Sequence, residues 1–145
     1  MMTLILRKAI VMAIGLTALI GAAMPATAQT SYMRVNIPFA FVAGTSSLPA
    51  GEYNMQVDAR ARVLQIQPVA GNATYLVLLL AGTGSRGDGK AEAGILRFQK
   101  VGGQYYLGAV WRPEHDFGNK LLVPKSVERA RSNSGAISNV EVTVR

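Results

Sequence analysis

The octapeptide GEYNMQVD, residues 51 to 58, decides how this chain is read. Tyr53, Met55 and Val57 occupy every second position, with Glu52, Asn54, Gln56 and Asp58 between them. A strand turns successive side chains to opposite faces, so this pattern describes a strand with one face buried and one in water. Two further segments repeat the scheme. RVLQIQ, residues 62 to 67, sets Leu64 and Ile66 against Gln65 and Gln67. NVEVTVR, residues 139 to 145, sets Val140, Val142 and Val144 against Glu141, Thr143 and Arg145.

TYLVLLLAG, residues 74 to 82, does not alternate. An unbroken apolar run of this length, bounded by glycine, predicts a central strand covered on both faces. GILRFQKVGGQYYLGAVW predicts a hairpin with strands over residues 94 to 101 and 104 to 111. Gly102 and Gly103 can take the positive φ angles of a two-residue turn, and Pro113 ends the second strand. On that strand Tyr105, Leu107 and Trp111 are expected to share one face, with Tyr106 and Val110 on the other. VPKSVERARSN, residues 123 to 133, is the one helical segment, with Ser126 as N-cap or Pro124 opening the first turn. Arg129 and Arg131 suit the negative end of its dipole. The expected fold is therefore all-β, a single-domain antiparallel β-sandwich or small barrel of about seven strands with one short C-terminal helix.

The N-terminal stretch MMTLILRKAIVMAIGLTALIGAAMPATAQT has the layout of a secretory signal. Arg7 and Lys8 precede an uncharged apolar segment of about 16 residues, shorter than the ~20 that a membrane span needs. Ala26-Thr27-Ala28 is a small-x-small cleavage site, which makes Gln29 the new N-terminus and residues 29 to 145 the single β domain. Removing residues 1 to 28 leaves 117 residues and takes two of the 15 basic residues, so the net charge falls from +7 to +5. The chain has no cysteine, so its core holds it together without disulfides in an oxidising compartment. Its basic residues are scattered rather than clustered, which argues against nucleic acid as a partner. The strands are too short and the aromatic residues too few for a membrane barrel. These features place the protein in the periplasm or the extracellular medium, not spanning a membrane after cleavage.

VNIPFAFVAGTSSLPAGEYNMQV, residues 35 to 57, carries a more specific pattern. Val35, Pro38, Phe39, Phe41 and Gly44 are followed by Leu48, Pro49, Ala50, Gly51 and Tyr53. This resembles a functionally uncharacterised group of small exported bacterial proteins with a V-x-x-P-F-x-F-x-x-G element followed by L-P-A-G-x-Y. GGQYYLGAVW and LLVPKSVERAR are similar to the later parts of such proteins, so the resemblance covers most of the mature chain. It implies a compact exported β-rich domain and carries over no catalytic residue. The physical reading of the motif is a folding device: Pro38 at a bend, Phe39 and Phe41 buried, Pro49-Ala50-Gly51 reversing the chain and Tyr53 returning to the core.

Several segments suggest chemistry and fall short of it. GTGSRGDGKA, residues 82 to 91, approaches a P-loop, but Ala91 stands where magnesium binding needs Ser or Thr, and a strand rather than a helix follows. A nucleotide is therefore not expected, and the segment reads as a glycine-rich connection between strands. Arg86-Gly87-Asp88 within it is turn chemistry rather than an adhesion signal. WRPEHDFGNK, residues 111 to 120, holds the single histidine, His115, between Glu114 and Asp116. No second His or Cys completes a zinc site and no G-x-S-x-G marks a nucleophile, so this is a solvated loop. Asn72-Ala73-Thr74 fits a glycosylation sequon and is read as a turn.

The resulting expectation is a non-enzymatic binding or envelope-associated module without catalytic residue, metal or cofactor. Its partner would be an envelope protein or polysaccharide. A second expectation is a carbohydrate or peptide binder that uses Tyr106, Trp111, Arg112 and His115 on the hairpin and its following loop. A cell-wall enzyme is the third. Mass spectrometry of the secreted protein should find Gln29 as the first residue, and retention of Ala28 and the residues before it would refute the export assignment.

Overall fold

The computed structural model describes residues 32 to 85, 92 to 134 and 137 to 144. The signal segment with its Ala28/Gln29 junction and the Arg86-Gly87-Asp88 triplet lie outside the described residues. The elements run β1 (Tyr32–Ile37), β2 (Phe41–Ala43), β3 (Ser46–Leu48), β4 (Gly51–Asp58), β5 (Val63–Pro68) and β6 (Tyr75–Ser85). They continue with β7 (Gly94–Val101), β8 (Gln104–Trp111), β9 (Phe117–Leu121), α1 (Lys125–Ser134) and β10 (Ser138–Val144). The fold is all-β with one helix near the C-terminus, as the alternation implies. There are ten strands instead of about seven, and their sheet does not close into a barrel.

The strands β1, β4, β5 and β6 pair antiparallel in that order, and β6 continues the sheet through β9 to β8. β8 also pairs with β7, and β7 with β10. One long strand joins the two halves. Residues 75 to 78 of β6 pair with β5, whereas its later residues, from Leu79 to Ser85, pair with β9. The strands missed in the sequence are short or weakly patterned. β2 and β3 form a three-residue hairpin about Gly44, whose φ of 61° favours glycine. β2 lies parallel to β8, the one parallel pairing in an otherwise antiparallel sheet. Residues 117 to 120, expected as loop, lie in β9, where Gly118 and Lys120 hide the alternation.

β1 and β4 alternate as their sequences require, and Met33, Val35, Ile37, Tyr53 and Met55 enter one continuous core. Phe41 makes edge-to-face contacts with Tyr53 and Phe98, each with ring centroids 5.4 Å apart. Phe39 is only partly buried. It stacks on Tyr105 at 4.0 Å and meets Phe98 edge-on at 5.0 Å, covering one end of the core. Such aromatic pairs add about 1 kcal/mol each beyond area burial. The turn between β7 and β8 forms as expected, with φ of 57° and 81° at Gly102 and Gly103.

Three expectations are corrected. First, β6 is not covered on both faces: Val77 and Leu79 are buried, but Leu76, Leu78 and Leu80 are 67, 57 and 45% exposed. The helix α1 lies over other strands, so nothing among the described residues covers this row fully. The segment 82 to 85, expected as connection, continues β6. Second, Ser126 is not the N-cap. Pro124 takes that place, its carbonyl accepting from the amides of Val127 and Glu128. Third, Trp111 does not share a face with Tyr105 and Leu107. Arg97 pairs with Ala109 but Phe98 with Leu107, which leaves Gly108 as a bulge. The extra residue inverts the alternation, so Leu107 and Val110 both enter the core while Trp111 turns outward.

The L-P-A-G-x-Y pattern acquires a physical basis here, because the buried Tyr53 donates its hydroxyl to the carbonyl oxygen of Pro49. Burial, with a smaller contribution from Tyr75, raises the Tyr53 phenol above its ordinary pKa of 10.0. Stability from this group is complete below pH 10 and declines as pH rises further, because the unfolded chain releases the proton first. Tyr53→Phe should lower stability by about 1 kcal/mol at neutral pH. Chemical denaturation at increasing pH should then show a shallower alkaline decline in the variant than in the parent.

Candidate functional site

The bulge at Gly108 and the helix α1 together shape a cleft on the outer face of β7, β8 and β9. After the bulge, Ala109 and Trp111 face away from the core, alongside Arg97 and Gln99 of β7 and Lys120 of β9. α1 crosses above them and contributes Glu128 and Arg131. Leu80, Leu122 and Val123 complete the walls of a cavity of about 520 Å³. The helix is held there through Val127, which is buried, while its charged residues are exposed or partly exposed.

Trp111 forms the floor and is only 2% exposed. Its indole fits because β9 has glycine beneath it: a Cβ at Gly118 would stand 2.4 Å from the indole Cε2 and 2.6 Å from Nε1. On the cleft side, the Arg97 guanidinium lies 4.5 Å from the centre of the indole. Its Nε and Nη2 donate to Oε1 of Glu141 on β10, at 3.0 and 2.8 Å. Both side chains of that ion pair are more than a third exposed, so the pair orients the guanidinium more than it stabilises the fold. The stacked and tethered guanidinium is a prepared cationic group.

Two polar atoms in this cleft are buried without a partner: Nε1 of Trp111, a donor, and Oε1 of Gln99, an acceptor. Leaving such groups unmet costs about 1–3 kcal/mol each, so their presence beside a cavity suits a ligand or water that meets them. Lys120 and Arg131 add positive charge against the single carboxylate of Glu128 among the lining residues. The arrangement can bind a small molecule through charge and hydrogen bonds. It sets no nucleophile beside a base, and among the described residues no group of three His, Cys, Asp or Glu side chains could hold a metal.

The residues expected from sequence separate into two sets. Tyr106 and Trp111 do lie on one outward face, but only because of the bulge, and Trp111 is a buried floor instead of an exposed platform. Tyr106 lies further along β8, where it pairs with Val42 of β2, outside the cleft. Arg112 and His115 sit in the turn after β8, where the His115 amide donates to the Arg112 carbonyl at 3.3 Å. Glu114 adopts a φ of 63° in that turn, and His115 is exposed away from the cleft. Arg97, Gln99, Lys120 and Glu128 were not singled out in the sequence, and Arg131 was noticed only for the helix dipole. The strand residues sit where alternation assigns side chains to solvent, and only the placement of α1 turns that solvent face into a cavity.

Gly118→Ala should cost about 1–3 kcal/mol, since a rigid indole and not a flexible tip would have to move. Thermal unfolding would register the loss, and a red shift of the emission of Trp111, the only tryptophan, would locate it. A variant as stable as the parent, with unchanged emission, would refute this packing. No protein-family model, curated protein or solved structure matches this chain.

Proposed function

We propose that this chain is an exported, non-enzymatic β-sandwich module that binds a small envelope-derived ligand, carbohydrate or peptide, in the cleft beneath α1. The observation that carries this reading is the pairing of a cavity of about 520 Å³ with an unpartnered donor and acceptor, Trp111 Nε1 and Gln99 Oε1. A cavity that only reflected loose packing would be apolar, since buried polar atoms are normally satisfied. The cleft instead has Arg97, Lys120, Arg131 and Glu128 in its lining together with Trp111 and Gln99. Export is supported by the Arg7/Lys8, apolar and Ala-Thr-Ala succession, and by the resemblance to small exported bacterial proteins. A recognition role is also supported by the way Arg97 is held in place by Trp111 and Glu141 before any ligand arrives.

The test uses the solitary tryptophan. Soluble oligosaccharides and peptides released from a bacterial envelope, separated into fractions, should include one that changes Trp111 emission saturably. Gln99→Ala should weaken that response at least about fivefold by removing a hydrogen bond to the ligand. The active fraction should leave the incubation with its masses unchanged. Indifference of Trp111 to every fraction would reject the cleft as the site, and cleavage of the bound fraction would replace a binder by an enzyme.

A further inference from the structure

The exposed leucines of β6 adjoin the cleft. Leu76 and Leu78, with Leu122, Val123 and Pro124, line a second groove of about 340 Å³ that has Lys125 at its rim. Leu80, the next outward residue of β6, lines the first cleft, and Leu122 and Val123 belong to both. The amide of Leu122 donates to the Leu78 carbonyl at 3.1 Å, so the shared residues are pinned to β6 where the two depressions meet. Outward residues recur every two positions along a strand, so Leu76, Leu78 and Leu80 mark an apolar track about 13 Å long. The same outward face of the neighbouring strand β5 carries Gln65 beside Leu76, the polar residue that a solvated strand normally has.

Chemistry changes along this trough. One end is leucine, valine and proline. The other holds Lys120 and Arg131 beside Glu128, with Arg97 already paired to Glu141, and Lys120 faces Leu80 directly across the β6–β9 ladder. Neither Lys120 nor Arg131 forms a salt bridge among the described residues. An oligosaccharide would leave the leucines wet, and an apolar peptide would leave the cations unmet.

We propose that the ligand is a single-chain anionic amphiphile, its acyl chain along Leu76, Leu78 and Leu122 and its carboxylate or phosphate among Lys120, Arg97 and Arg131. This inference rests on the cleft being a binding site and assigns it an amphiphile in place of a carbohydrate or peptide. The chain removes the leucines from water, and the head supplies the negative charge that Lys120 and Arg131 lack, beside the Arg97 already held by Glu141. Both a free fatty acid and a lysophospholipid have this chemistry.

The probes are dodecanoate and lysophosphatidylglycerol, each held below its micellar concentration and followed by Trp111 emission. Dodecyl maltoside tests the chain without a charge, and butyrate tests the charge without a chain. Saturable one-to-one binding is expected for at least one of the two anionic probes, and the tighter of them identifies the source. Dodecyl maltoside and butyrate should each bind at least about tenfold more weakly, since each forfeits one half of the contact. Leu78→Asp and Arg131→Gln alter exposed or partly exposed side chains, so both variants should melt like the parent while binding the probe at least about fivefold more weakly.

Equal binding of dodecyl maltoside would overturn the anionic head, and equal binding of butyrate would overturn the chain while leaving the cleft as a site. Silence of Trp111 towards all four probes, with a response to envelope saccharides or peptides, would refute the amphiphile and keep the broader reading. Silence towards every compound would remove both. Two other results would also refute the proposal: Leu78-dependent dimerisation in sedimentation, which makes a second copy the occupant, or Leu78-dependent adsorption to anionic vesicles without binding of monomeric probe.

Discussion

Gly108 contributes no side chain, yet the layout of the molecule depends on how it interrupts a ladder. Because it stands unpaired between Ala109 and Leu107, the alternation of β8 reverses at that point. Leu107 and Val110 can then both enter the core although they lie three residues apart, and Trp111 is sent to the opposite face. A regular strand would have placed Trp111 with Leu107 inside, in a core already occupied by Phe41, Tyr53 and Phe98. The bulge therefore accommodates two packing demands, a filled interior and an aromatic floor outside it. Gly118 meets the consequence on the adjacent strand by leaving room for the indole.

The outer surface built on that reversal is uneven. Over β7, β8 and β9 the helix α1 gives the sheet a second cover, enclosing charged and polar side chains in a cavity rather than packing flat against them. Over β6 no such cover comes from the described residues, and three leucines face water, the first beside Gln65 of β5 and the second beside Val63. Soluble proteins seldom expose a contiguous apolar row without a use for it. Here the row leads into the cationic cleft, so the apolar and charged surfaces are two ends of one feature.

Much of the architecture was legible from local pattern. GEYNMQVD, RVLQIQ and NVEVTVR announce β4, β5 and β10, because a half-buried strand needs only alternation to be recognised. The β7–β8 hairpin was legible to the residue, since Gly102-Gly103 is turn chemistry that few other structures use. β2, β3 and β9 were not legible. Three residues hold too little periodicity, and in FGNKL the two buried positions, Gly118 and Leu121, lie three apart, the first a glycine covered by Trp111 on another strand. The apolar run of β6 misled for a related reason. Composition reports what a side chain prefers, and Leu76, Leu78 and Leu80 are exposed against that preference.

The candidate site was less legible than the fold. His115 and Arg112 attracted attention because polar residues cluster there in sequence, but they occupy a turn outside the cleft. Arg97, Gln99, Lys120, Glu128 and Arg131 come from three separate elements, and each reads as ordinary solvent-facing chemistry in its own segment. What the sequence by itself determined was the strand class of the chain, its principal turns and the core faces of its most regular strands. These follow from interactions between near neighbours and from the two-residue period of a strand. Only the tertiary structure decided which way Trp111 faces, what α1 covers and which cations meet. Those outcomes depend on a one-residue register shift and on contacts between distant segments, and neither leaves a periodic trace in the chain.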